Sequence, residues 1–180
     1  TRMLFGDGAA ASWIGQADDC GIEPLIYSFS DFALSSDGTG WDQFVVKSGA
    51  SRQPSSCRSA ADYNDKISMN GLNVLNFVND RVIKQLRELL ASNHLTAEQI
   101  DQYFFHQASG LALDSLGKKL KLKDMQIYSN LQNIGNTVSS SIPIILKKRL
   151  DEFEHNNIIL CGFGVGLSWS STVIIKNSFY

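Results

Sequence analysis

The chain has 180 residues, 43% of them hydrophobic, which is enough to bury one core of ordinary globular composition, and its formal net charge of −2 leaves no cationic excess for a phosphate-backbone surface. No apolar run approaches the roughly 20 residues that cross a bilayer, and no signal-peptide plan opens the chain, so a cytoplasmic location with neither membrane nor nucleic acid as partner is expected. Three cysteines without metal-type spacing fit a reducing compartment better than a disulfide framework. Thr1 runs straight into Met3-Leu4-Phe5-Gly6-Asp7-Gly8-Ala9 without an initiator methionine, which reads as the middle of a longer protein.

In chain order, residues 4–14 read as a strand broken by a Gly-Asp-Gly turn, and residues 24–32 as a second short strand. Residues 35–59, rich in Ser, Gly, Asp and Arg, read as a long surface loop. From 72 to 93 the apolar residues Val74, Phe77, Val78, Val82, Leu86 and Leu89 recur at helical spacing opposite Asp80, Arg81, Lys84 and Arg87, which predicts an amphipathic helix. Thr96 with Gln99 forms a capping-box pattern, and Gln102 to Phe105 a short buried aromatic strand ending at His106. Ser109 can cap a helix running to about Leu120. Residues 125–129 read as a strand, Gly135-Asn136 as a turn, and 139–153 as a helix that tolerates Pro143 in its first turn. Residues 157–161 and 167–175 read as strands around a glycine-rich turn. Helices alternating with strands indicate a layered α/β domain.

His106 is predicted at the C-terminal end of a strand, where open α/β sheets place ligand sites. A histidine after two phenylalanines is also a common packed core residue, and Asn136 after Gly135 a common turn residue. Their conjunction, each read at a strand-to-helix junction of one sheet, is what suggests chemistry: a histidine, an amide and glycine-turn N–H groups suit a negative charge developing on a thioester oxygen. Gly162-x-Gly164-x-Gly166 is not a dinucleotide fingerprint, because a strand rather than a helix follows it. It reads as a tight turn presenting peptide N–H groups.

None of the cysteines reads as an activated nucleophile. Cys20 follows Asp18 and Asp19, Cys57 lies in the polar loop, and Cys161 lies inside an apolar strand. His94 and His155 read as surface side chains, and no spacing suggests a metal or other cofactor. The basic clusters Lys118, Lys119, Lys121, Lys123 and Lys147, Lys148, Arg149 read as solvated helix faces.

His106-Gln107-Ala108, Gly135-Asn136-Thr137 and Gly162-Phe163-Gly164-Val165-Gly166-Leu167-Ser168-Trp169, in that order, resemble the C-terminal part of β-ketoacyl-acyl-carrier-protein synthase III, a condensing enzyme of the thiolase fold. Phe5-Gly6-Asp7-Gly8-Ala9, Ser36-Asp37-Gly38 and Ser68-Met69-Asn70-Gly71 resemble further segments of it, so the likeness spans essentially the whole chain. It implies a layered thiolase-like α/β fold, with a mixed sheet flanked by helices. Residues 1–35 would then be the end of the N-terminal half and a connecting segment, and 36–180 the C-terminal half.

The resemblance also implies that His106 and Asn136 are two members of a Cys-His-Asn triad whose cysteine lies in a missing N-terminal half, so that this chain alone is inactive. It implies acyl-CoA and malonyl-acyl carrier protein as substrates with no cofactor, a backbone oxyanion donor at Val165, and a homodimer. At Ser109 and Leu111 the chain departs from the family's asparagine and basic residue near the carrier site. Lys118 and Lys119 are then the candidates for steering an acidic carrier protein. The alternatives are acyl transfer to a hydroxyl or amine without condensation, and a non-catalytic half. Retention of both His106 and Asn136 favours condensation, since simple transfer needs no paired enolate donors.

Overall fold

The computed structural model describes residues 3–16, 27–51, 53–54, 56, 65–150 and 155–177. Its centre is a mixed four-stranded sheet in the order β1 (Tyr27–Ser36), β6 (Ser168–Lys176), β5 (Asn157–Gly164), β4 (Gln102–Phe105). β4 runs parallel to β5, while β6 pairs antiparallel with both β5 and β1. Parallel neighbours require a long crossover. Here α3 (Gly110–Leu120), the four-residue α4 (Leu131–Ile134) and α5 (Ser141–Leu150) lie in sequence between β4 and β5.

The pleat of β4 decides what covers each face. Tyr103 and Phe105 point into a core shared with Leu86 and Leu89 of α2 (Ile83–Ser92) and Leu113 and Leu116 of α3. Phe104 points the other way, into a smaller core with Ile158, Ile174 and Ile145 of α5. The aromatic strand is buried at every position, so both faces of its end are fixed before His106 begins.

The amphipathic pattern at 72–93 forms α1 (Gly71–Phe77) and α2, joined by a π-helical turn over Val78–Val82. The turn keeps Val78, Val82 and Ile83 all buried. The Thr96 backbone N–H donates to Oε1 of Gln99 at 2.8 Å, and Ser109 Oγ caps α3 by accepting from the N–H of Ala112 at 3.2 Å, both as the sequence predicts.

Several expectations are corrected. Among the described residues, 4–14 hold no strand: Phe5 alone makes a bridge, to Asn136, and Trp13 and Ile14 stand exposed with no neighbouring strand to complete a ladder. The second strand lies at Tyr27–Ser36, its register fixed by β6; residues 24–26, like Cys20 and Cys57, fall outside the described set. The expected loop at 35–59 contains a 3₁₀ turn, Gly38–Gly40, and β2 (Phe44–Val46), which pairs with β3 (Ile67–Met69).

Residues 125–129 do not form a strand. A 3₁₀ turn over Asp124–Gln126 precedes a single bridge from Ile127 to Tyr103. The Gln107 side chain takes the place of a strand partner there, donating to the Tyr128 carbonyl at 3.3 Å and accepting from the Asn130 N–H at 3.0 Å. The helix expected from 139 begins at Ser141 after a 3₁₀ turn over Val138–Ser140, with Pro143 in its first turn; 151–154 lie outside the described residues. β5 continues through Gly164, so the glycine-rich turn shortens to residues 165–167.

Candidate active site

His106 follows β4, and its N–H donates to the Cys161 carbonyl of β5 at 2.9 Å. The imidazole meets Phe163 edge-to-face at 5.5 Å between centroids. Its Nδ1 lies 2.9 Å from Oγ of Ser141, the first residue of α5. Burial pulls the His106 pKa below the ordinary imidazole value, opposed by a hydrogen bond to the Val138 carbonyl. The ring is therefore neutral near pH 7.

Asn136 is buried where His106 is half-buried, but it does not sit at a junction of the sheet. It follows α4 and pairs with the N-terminal segment: its N–H donates to the Leu4 carbonyl at 2.9 Å, and its carbonyl accepts from the Gly6 N–H at 3.0 Å. This contact requires glycine on both sides. Gly135 has φ 64° and ψ −164°, a region open essentially to glycine alone, and a Cβ on Gly6 would stand 1.9 Å from the Ile134 carbonyl oxygen. The Asn136 side chain is held in turn, with Oδ1 accepting from the Val138 N–H at 2.9 Å and Nδ2 donating to the Ala108 carbonyl at 3.3 Å. Ala108 is two residues past His106, which ties the two motifs together.

His106, Asn136 and Val165 all line one cavity of about 1000 Å³, with Phe5, Val74 and Trp169 among its other walls. Val165 stands at the hairpin tip, more than half exposed, beside Gly166 (φ 73°) and Leu167 (φ 50°). Lys118 and Lys119 are exposed in the last turn of α3. At 1.5 Å per residue they stand about 10 Å along the helix from Leu111 at the cavity rim. They are not part of the site itself.

Cys161 is free and buried, and burial pushes its thiol far up from the ordinary range, which disqualifies it as a nucleophile. His94 is exposed as expected, whereas His155 is half-buried with its pKa lowered chiefly by burial. Among the described residues no group of His, Cys, Asp and Glu is arranged to hold a metal ion, and no helix is long and apolar enough to cross a membrane. Sequence reading missed Ser141 and Val138. Only their place shortly after Asn136 could have pointed to them.

The mixed sheet with helices on both faces and this cavity define a thiolase-like C-terminal half. Residues 90–175 match the model of the family described as 3-oxoacyl-[acyl-carrier-protein (ACP)] synthase III C terminal. Over 97% of its length the chain is 34% identical to the β-ketoacyl-[acyl-carrier-protein] synthase III of Caldanaerobacter subterraneus subsp. tengcongensis, covering 52% of that protein. It is 32% identical to the Lactococcus lactis subsp. cremoris relative of the same name, covering 53% of it. A crystal structure of the synthase III of Thermus thermophilus superposes with a TM-score of 0.73 at 28% identity, over 87% of this chain and 49% of that one. The chain thus spans about half the length of the curated relatives it matches.

Proposed function

We propose that the chain supplies the C-terminal half of a 3-oxoacyl-[acyl-carrier-protein] synthase III, catalysing decarboxylative Claisen condensation of malonyl-acyl carrier protein with an acyl group carried from acyl-CoA onto a cysteine. The observation that supports this most strongly is the convergence of half-buried His106 and buried Asn136, tied to each other's motifs, on the wall of one largely apolar cavity. The cysteine is proposed to lie in the half of the relatives that this chain does not span, so that the chain by itself is inactive.

In this reading the malonyl carboxylate leaves as carbon dioxide and its bonding pair passes into a thioester enolate. The enolate carbon attacks the acyl carbon, and the cysteine sulfur departs as thiolate. The charge that builds on the thioester oxygen needs donors held in place before the reaction. Asn136 uses one Nδ2 proton on Ala108 and has the second to offer. His106 has Nδ1 engaged by Ser141, so Nε2 is the nitrogen available to substrate. The turn at Val165 would give a backbone N–H to the other oxyanion, that of the acyl-cysteine tetrahedral intermediate.

Lys118 and Lys119 would act on acidic carrier protein by long-range steering, an effect that weakens as salt rises. A homodimer, on the resemblance, and a cytoplasmic location, on the sequence pattern, complete the proposal.

The test is to join this chain behind the N-terminal half of the Caldanaerobacter relative and identify by mass spectrometry the product formed from acyl-CoA and malonyl-acyl carrier protein. A product extended by two carbons is expected, with its rate reduced about 100- to 1000-fold by Asn136→Ala. An acyl group moved intact to a hydroxyl or amine acceptor, with Asn136→Ala without effect, would instead establish simple transfer.

A further inference from the structure

Ser141 Oγ has three polar neighbours: the Val138 carbonyl at 2.8 Å, His106 Nδ1 at 2.9 Å and the Gln107 N–H at 3.3 Å. A hydroxyl has one proton to donate and two lone pairs to accept with. A carbonyl can only accept and a peptide N–H can only donate, so two of the three contacts have fixed roles. The Ser141 proton goes to Val138 and one lone pair takes the Gln107 N–H. The second lone pair is left for Nδ1, which must then carry a proton. Ser141 is fully buried, and a hydroxyl turned toward Nδ1 instead would leave its oxygen and the Val138 carbonyl oxygen 2.8 Å apart with no proton between them, an unfavourable contact even though the Ser141 N–H also donates to that carbonyl.

We propose that Ser141 is a positioning residue that holds neutral His106 with its proton on Nδ1, leaving the Nε2 lone pair as the face presented to the cavity. The device is anchored at Val138, a β-branched residue held at φ 54°, where a non-glycine side chain is strained. That one residue bonds in both directions: its N–H fixes Oδ1 of Asn136, and its carbonyl fixes the hydroxyl that fixes His106. The strained turn therefore sets both members of the site together, as strain at functional positions commonly does.

The catalytic meaning rests on the proposed condensation. With Nε2 bare, resting His106 is a proton acceptor, and it takes the proton of the cysteine thiol as the thiolate forms. The thiolate attacks acyl-CoA, the carbon–sulfur bond to coenzyme A breaks, and the departing thiolate is protonated by water. His106 keeps its proton on Nε2 and donates it as a hydrogen bond to the thioester oxygen during decarboxylation. When condensation releases the cysteine as thiolate, that anion again faces the protonated ring.

Among the described residues, the groups facing the imidazole are Phe163 from β5, Ser141 from α5, the Val138 carbonyl, and the Cys161 carbonyl through the backbone. None of these carries a charge, and the Cys161 thiol stays protonated. The titration of His106 therefore reports on Ser141 with little interference.

The test uses long-range ¹H–¹⁵N NMR of the 180-residue chain, labelled at its three histidines. Wild type is expected to show the Nδ1–H tautomer at His106. In Ser141→Ala, the loss of an acceptor that stabilises the protonated ring should move the His106 titration to lower pH, with the His94 and His155 signals unchanged as a check on folding. An Nε2–H tautomer in wild type would overturn the proposal even if the variant failed to fold. So would a titration moved to higher pH in Ser141→Ala, since it would show the hydroxyl donating to Nδ1. Neither readout involves turnover, so a failure of the condensation reading would leave this test intact.

Discussion

The corner around His106 and the hairpin tip at residues 165–167 face the same cavity, yet they are held by different means. The corner is fixed by side chains: Ser141 on His106, Gln107 across to Tyr128 and Asn130, Val138 and Ala108 on Asn136. It rests on a strand whose four residues are all buried. The tip is fixed by backbone geometry, with positive φ at Gly166 and Leu167 and a hydrogen bond of 2.7 Å from the Asp37 N–H to the Leu167 carbonyl. A group that must present a defined proton needs the first kind of support. A peptide N–H that must only point in a direction can rely on the second.

Four perturbations bear on this contrast, in descending size. Phe105→Ala removes a fully buried ring stacked on Tyr103 at 5.7 Å directly behind His106. It is expected to lower unfolding free energy by about 3–5 kcal/mol in denaturant titration; a loss below about 1 kcal/mol would show that the strand does not brace the corner.

Gly135→Ala forces a side chain into a backbone region that only glycine occupies comfortably, with Gly6 N and the Leu4 carbonyl close by. It should cost about 1–3 kcal/mol and release the N-terminal segment, which amide exchange at Gly6 would register. Gly166→Ala is the matching change at the tip. No atom lies within 4 Å of its added Cβ, so the cost is that of the positive φ alone, about 1 kcal/mol by thermal denaturation. The NMR signals of His106 should not move. If they do, the two regions are coupled and the contrast fails.

The smallest effect is in pH dependence. Folded His106 has a lowered pKa, so as pH falls the unfolded chain takes up the proton first. Its contribution to stability is therefore present above the ordinary imidazole range and is lost as pH drops through that range toward the folded value. Melting temperature should fall less steeply below about pH 6.5 in His106→Gln than in wild type. His155 shifts in the same direction and remains in both proteins, so the difference isolates His106.

Much of this was legible in the sequence where one residue's chemistry decides one local outcome. The aromatic strand at Gln102–Phe105 and the Ser109 cap follow from residue type and spacing, whereas the expectation that His106 and Asn136 act together came from their conjunction and from the resemblance, and the structure shows both lining one cavity. Failures came where a partner distant in sequence decides. Residues 125–129 have strand-like composition, but the Gln107 side chain occupies the hydrogen bonds that a strand would use. Residues 4–14 pattern as a strand but bridge the rest of the chain only at Phe5 among the described residues. Asn136 was expected on the sheet and is instead clamped by Leu4 and Gly6, a contact that local pattern cannot show. Ser141 was invisible for the same reason, lying 35 positions from the ring it meets.

The central claim is that His106 and Asn136 stabilise an enolate, independently of the nucleophile. It is tested most directly by the fusion with the Caldanaerobacter N-terminal half in which the acylated cysteine is replaced by alanine, measuring carbon dioxide release from malonyl-acyl carrier protein without acyl-CoA. Release that persists in that protein and is abolished by adding Asn136→Ala is the predicted result. Release indifferent to Asn136, or no release from malonyl-acyl carrier protein even with the cysteine restored, would contradict the account.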